Sequence, residues 1–183
     1  MKRSTYCLVT SLLILMTATF TGGFQRSPEW VTHTSAEGRY SVLFPEQPKL
    51  TTQELTGPTE QKYTQYEAGS QDSGGRYKIK HFEHPATLVY SLAKIRENLK
   101  AVGELLSTNE ITVAGAPGFE SRFLIKGDPG DEYLMRVRVF IIQRRVYTLT
   151  HFVNKRVDSP AVAEKADKFF NSFKVVDGNY VNL

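Results

Sequence analysis

The chain has 183 residues, of which 40% are hydrophobic, 11% aromatic and 23% charged, and its formal charge is +4. These proportions fit a soluble globular domain and exclude a disordered chain, a collagen, a coiled coil and a multi-span membrane protein. The positive charge is too small to imply a nucleic-acid partner, the more so because removal of Lys2 and Arg3 would take it from +4 to +2.

The N-terminus has the three parts of an export signal. Lys2 and Arg3 stand in a segment without acids, an apolar run follows from Leu8 to Phe20, and the small residues Thr21, Gly22 and Gly23 close it. The run falls short of the roughly 20 residues that a membrane-spanning helix requires. We therefore expect a signal peptide over residues 1–23 and a single domain over residues 24–183, exported to the periplasm or beyond, with an uncleaved anchor as the alternative. Cys7 precedes the apolar run, whereas the acylated cysteine of a bacterial lipoprotein follows it. Loss of the segment leaves a cysteine-free chain, which excludes disulfides, a thiol nucleophile and cysteine-ligated metal. The fold must then rest on its apolar core, and a chain of this size buries roughly 68–70% of its unfolded surface.

Along the mature chain, Ser35-Ala36-Glu37-Gly38 reads as a turn between a strand over Trp30–Thr34 and a strand over Arg39–Phe44, ended by Pro45 and Pro48. Strands are expected over Leu50–Leu55, Lys62–Ala68 and Arg76–Glu83, with Gly69–Gly75 as a loop by composition. After Pro85 the apolar period lengthens: Leu88, Leu92, Ile95, Leu99 and Val102 form one helical stripe, and Leu105 and Leu106 could extend it by a turn beyond Gly103. A second helix opens at Asp158-Ser159-Pro160, a capping side chain followed by proline at the first helical position. Its stripe is Val162, Ala166, Phe169 and Phe173. Trp30 reads as a core plug stapling the first strand.

Between Glu110 and Val153 the sequence specifies a meander. If Gly127–Asp131 is the whole loop, Lys126 faces Glu132, Phe123 faces Met135, Arg122 faces Arg136 and Glu120 faces Arg138. That register gathers Phe119, Phe123, Ile125, Tyr133, Met135, Val137 and Val139 on one face and charges on the other. For the next turn, a three-residue loop over Gln143–Arg145 puts Tyr147, Leu149, His151 and Val153 on the apolar face, while a two-residue loop puts His151 beside Arg136. We prefer the former, because it continues the apolar surface.

Taken in order, Trp30, Glu37-Gly38-Arg39-Tyr40-Ser41-Val42-Leu43-Phe44-Pro45, Gly115-Ala116-Pro117-Gly118-Phe119-Glu120, Arg145-Val146-Tyr147-Thr148-Leu149 and Phe169-Phe170-Asn171-Ser172-Phe173 give a pattern that spans nearly all of the mature chain. It resembles uncharacterised bacterial exported proteins related to the PsbP and Mog1-like fold. The resemblance implies an α+β fold, an α/β/α sandwich with a mainly antiparallel central sheet and two principal helices. It also implies a group whose better-known relatives are accessory or binding proteins. It carries over no functional residue, since the matching positions are structural.

The residues offer little chemistry. No G-x-S-x-G elbow is present, and the string Ala114–Gly118 lacks a nucleophile at its centre. Asp128, Asp131 and Glu132 sit in turn composition without the spacing of a calcium loop. His81 and His84 form H-x-x-H, a weak alternative for a metal site with Glu83 and His33 as conceivable partners, although residues three apart on a strand point to opposite faces. Arg122, Arg136 and Arg138, with Arg144 and Arg145 at the next hairpin tip and Lys78 and Lys80 nearby, are the candidate binding residues for an unknown protein or anionic envelope component. The competing reading of that face is a solvated or helix-covered surface with Glu120 and Glu132 as partners. The sequence thus points to a non-catalytic exported module without a cofactor, of open oligomeric state.

Overall fold

A computed structural model describes residues 29–57, 60–84 and 91–176, so the expected signal segment, Leu88 and the last seven residues lie outside the described residues. In chain order the elements are β1 (Val31–Ser35), β2 (Tyr40–Phe44), β3 (Lys49–Thr56), β4 (Lys62–Asp72), β5 (Gly75–Glu83), α1 (Leu92–Leu99), β6 (Glu104–Val113), β7 (Ala116–Lys126), β8 (Glu132–Ile142), β9 (Arg145–Asn154), a 3-10 turn (Lys155–Val157), α2 (Pro160–Asn171) and β10 (Lys174–Val175). The strands make a seven-stranded sheet ordered β3-β4-β5-β9-β8-β7-β6 and a three-stranded sheet ordered β1-β2-β10. Among the described residues all pairings are antiparallel, and with two α-helices the fold is α+β. Among the described residues no helix is long and apolar enough to cross a membrane.

Turn chemistry fixes most of the register. Ala114 and Gly115, at φ +47° and +75°, supply the two left-handed positions of a primed two-residue turn, so Val113 faces Ala116. Between β7 and β8 the Gly127–Asp131 loop is closed by the Gly127 N–H donating to Asp131 O (2.9 Å), and the register is the expected one, with Glu120 opposite Arg138 and Arg122 opposite Arg136.

The next hairpin departs from expectation. Ile142 pairs with Arg145, leaving a two-residue turn with Gln143 at φ +56°, and Arg136 stands opposite His151. Tyr147, Leu149, His151 and Val153 therefore share the face of Arg136 and Arg138, not that of Phe123 and Met135. The physical reason is that the large sheet is buried on both sides. On one side Tyr77, Ile79, Phe140, Tyr147 and Leu149 lie beneath Phe169, Phe170 and Phe173 and beneath Tyr40, Val42 and Phe44 of the small sheet. On the other, Phe119, Phe123, Val137, Val139 and Val146 lie beneath Leu92, Ile95 and Leu99 of α1. Burying one such aromatic or aliphatic side chain stabilises by about 1.5–3 kcal/mol. Trp30 joins the first cluster, as expected of a plug, with its ring edge-on to Tyr77 at 5.7 Å.

Two further segments differ from their composition. Gly69–Asp72 continues β4, because Gly69, Ser70 and Gln71 find partners in Lys78, Tyr77 and Arg76, and only Ser73-Gly74 turns. The Gly74 N–H donates to Asp72 Oδ1 (2.7 Å), and Lys165 Nζ of α2 donates to Asp72 Oδ2 (2.6 Å), pinning the helix to this turn. Leu105 and Leu106 do not extend α1; β6 begins at Glu104, where pairing with Leu124 and Phe123 outweighs helical periodicity. Helix α2 opens as read, with Ser159 Oγ accepting from the Val162 N–H (3.4 Å) and Pro160 at its first position. The outer strands of the large sheet contrast: β6 carries a bulge between Leu105 and Ser107, while the ladder of β3 with β4 runs unbroken over eight pairs.

Candidate functional site

The five arginines do not form one patch. Arg136 donates from Nε and Nη2 to both oxygens of Glu120 (2.7 and 3.1 Å) and from Nη1 to Asp167 of α2 (2.5 Å), while Arg138 Nε donates to Glu120 Oε2 (2.5 Å). Both guanidinium groups lie over the Phe170 ring, at 4.8 and 5.1 Å. Glu120 thus accepts from two arginines beneath a helix that supplies a second carboxylate, Asp167, and an aromatic lid. Burial alone would raise its carboxyl pKa, but the hydrogen bonds and charges of Arg136 and Arg138 together hold it below the usual range. Arg122, opposite Arg136, stays exposed. Lys78 and Lys80 alternate with Ile79 and His81 and so point to the other face, where both engage Glu67 (2.7 and 3.3 Å).

Arg144 and Arg145 lie at the β8–β9 turn, away from that network. Their Nη2 atoms reach the two oxygens of Glu83 (3.5 and 3.1 Å). Arg144 Nε also donates to His84 O (3.1 Å), and the His84 N–H donates to Arg144 O (2.9 Å). This double clamp holds the end of β5 against the turn and forms one wall of a hollow of about 470 Å³ lined by Glu37, Lys62, Tyr63, Thr64, Tyr66, His81, Glu83, Arg144 and Arg145. A smaller hollow of about 220 Å³ adjoins it between β1 and β3, sharing Glu37, Tyr66 and His81 and adding His33, Tyr40 and Leu50.

His81 sits where the two hollows meet, and its setting follows from strand pairing. Tyr66 of β4 and Tyr147 of β9 are its cross-strand neighbours. The Tyr66 ring stacks on it at 4.9 Å and 8°, and Tyr40 meets it edge-on at 5.4 Å. The β1–β2 turn closes over it. The Gly38 N–H donates to Ser35 Oγ (2.9 Å), and the Tyr147 hydroxyl donates to Gly38 O (2.7 Å). A side chain at residue 38 would meet His81 Cε1 at 2.8 Å, so glycine is required here for closeness.

The imidazole is 3% exposed, and neither ring nitrogen has a hydrogen-bond partner among the described residues. Burial first, and the Arg145 charge second, push its pKa down to about 4 against the opposing pull of Glu37. Near neutral pH the ring is therefore uncharged, with one N–H donor and one bare acceptor uncommitted.

The H-x-x-H metal reading finds no support among the described residues. His81 faces the hollow, whereas His84 lies one residue past the strand with its backbone clamped to Arg144, and His33 turns its ring edge to Tyr40 and Phe44 at 5.9 and 6.1 Å. Among the described residues no group of three or more His, Cys, Asp or Glu side chains could hold a metal ion. The sequence named His33, His81, Glu83, Arg144 and Arg145, all of which line one or other hollow, but joined the first three only as conceivable metal ligands and gave no reason to bring the two arginines to them. It did not point to Glu37 or Tyr66. The usable signal was the chain of opposed residues Tyr66–His81–Tyr147, which becomes readable only when β4, β5 and β9 are known to be neighbours.

No family model and no curated protein sequence matches the chain. Solved structures do. The solution structure of cyanobacterial PsbP (CyanoP) from Synechocystis sp. PCC 6803 is similar with a TM-score of 0.53 and 13% identity, over 84% of this chain and 96% of that one. A crystal structure of a Bacteroides thetaiotaomicron protein is similar with a TM-score of 0.50 and 14% identity, over 82% of this chain and half of that one. At these identities the likeness speaks for the backbone alone. The chain has a PsbP-like fold.

Proposed function

We propose that this chain is an exported, non-catalytic binding or accessory module of the bacterial cell envelope, and that it receives a ligand or partner group in the hollow beside His81. The observation that carries the reading is a half-open hollow whose wall sets the charged side chains of Glu37, Glu83, Arg144 and Arg145 around the Tyr66 ring. A volume of about 470 Å³ lies within the range of roughly 300–1,000 Å³ usual for ligand sites. The arginine cluster that the sequence offered for binding is better read as internal. Arg136 and Arg138 fasten α2 to the sheet, so of the three only Arg122 is without a role in holding the helix. The PsbP-like backbone and the layering of α2 with the small sheet on one side and α1 on the other support the reading of an α/β/α sandwich that serves as a scaffold.

The test has two arms. Intact mass of the protein recovered from outside the cytoplasm should show loss of residues 1–23; a full-length chain retained in the cytoplasm refutes export. Immobilised full chain should retain a component of envelope extract that Arg144→Glu and Tyr66→Leu release. If wild type retains nothing above a bait-free matrix, or if both variants retain the same component equally, the hollow is not the binding site.

A further inference from the structure

The lining sets Lys62, Arg144 and Arg145 against Glu37 and Glu83, and each of the three cations has a carboxylate within 4 Å. Glu83 takes both Arg144 and Arg145, and Lys62 reaches Glu54 at 3.9 Å, so no cation of the rim is left without a carboxylate beside it. Glu37 is the remaining carboxylate of the wall, and the Ser35 hydroxyl lies 3.5 Å from its Oε2. A site built for phosphate or a polycarboxylate concentrates unpaired cations, and this one does not.

It offers instead a dense alternation of donors and acceptors. Arg144 and Thr64 can donate, and Glu37 and Glu83 can accept. Tyr66 adds an aromatic surface common to both hollows. Hydroxyl groups are the ligand chemistry that uses both halves of such a set, because each hydroxyl donates once and accepts from two directions. The apolar, CH-rich face of a sugar ring is the surface that an aromatic side chain covers well, while the ring's hydroxyl rim reaches outward to the polar wall.

Resting on the reading of the hollow as a binding site, we infer that its ligand is a neutral polyhydroxylated ring, a sugar unit of a glycan, seated against Tyr66 with its hydroxyl groups shared among Glu37, Glu83 and Arg144. A carboxylated or phosphorylated sugar is disfavoured by the same pairing of charges.

The test is a titration of the isotopically labelled full chain by NMR with glucose, N-acetylglucosamine and its β-1,4-linked trisaccharide, and, in parallel, with inorganic phosphate and citrate. The inference expects saturable shifts of the Tyr66, His81, Glu83 and Arg144 amides with at least one of the neutral sugars and not with the anions. Tyr66→Leu and Glu37→Gln should each weaken that binding by about tenfold or more; Glu37→Gln, isosteric and at an exposed residue, is the variant least able to disturb folding, and Arg144→Gln, which also gives up the bond to His84 O, should weaken binding too. Shifts at these amides with phosphate or citrate and none with the sugars overturn the neutral-sugar assignment while leaving the hollow as a binding site. Silence with every sugar overturns it as well, and the envelope capture then decides separately whether the hollow binds a protein.

Discussion

The hydroxyl of Tyr147, in the middle of the large sheet, donates to the carbonyl of Gly38 in the turn of the small sheet, 2.7 Å away and out of contact with water. This one bond ties the two sheets together above His81. Tyr147→Phe keeps the ring and its packing but leaves a buried carbonyl without that donor, so stability should fall by about 1–3 kcal/mol. Chemical denaturation with an unchanged m-value is the check; a loss indistinguishable from zero means that the turn is held by Ser35 alone.

Gly38→Ala should be as costly or more so. Its methyl group would meet His81 Cε1 at 2.8 Å and the Tyr40 ring more closely still, and neither ring can retreat from a packed core. Overpacking of this kind costs about 1–3 kcal/mol. The distinguishing readout is His81 itself, whose ring signals should move in Gly38→Ala and not in Gly115→Ala, where an added methyl group meets nothing within 4 Å.

The sign of the pH dependence follows from the lowered pKa of His81. Unfolded, the ring takes a proton near 6.5; folded, only near 4. The unfolded chain therefore holds more protons between those limits, and stability is full above about 6.5, falls as the solution is acidified through the window and levels out beneath about 4. His81→Phe should flatten that segment of the stability profile. A profile as steep in the variant as in wild type would assign the effect to His33 or His151, whose pKa values burial also lowers.

Glu120 acts in a lower window. Because its folded carboxyl titrates below the ordinary value of 4.5, the stability it contributes is present above 4.5 and lost as pH drops further. Glu120→Gln leaves Arg136 and Arg138 without their shared carboxylate, and because the network is only part-buried the cost should be about 1–3 kcal/mol, less than for a fully buried ion pair. Thermal unfolding at pH 7 should show it. Arg122→Gln, at an exposed site on the same face, is expected to change stability by less than about 0.5 kcal/mol.

The parts of this fold that were legible in the chain are those where local chemistry leaves one solution. The Gly127–Asp131 loop and the opposed charges of Glu120 and Arg138 admit only one register for β7 and β8, and Ser159-Pro160 can hardly do other than start a helix. Where two surfaces compete for apolar residues, the same reasoning fails. Tyr147 and Leu149 look like an extension of the Phe123 face, yet they belong to a second core whose other wall, Tyr40 and Phe169, comes from residues at both ends of the domain. Gly69–Asp72 departs from its composition for a related reason, since a ladder partner overrides what glycine content suggests, and the same pairing decides between the stop at Gly103 and the extension of α1 through Leu105 and Leu106. Of the hollow, the sequence held its ionised members but not the proximity that gives them meaning.

The unequal outer strands of the large sheet set how this protein will fail when it is stressed. At β6 the bulge interrupts the row of backbone groups that another chain would need to copy. At β3 the row is straight, and Leu50 stands 62% exposed beside it. Fibrous or amorphous precipitation on heating should therefore propagate from the Lys49–Thr56 border, and Leu50→Lys is the single change with which a longer-lived, more soluble preparation begins.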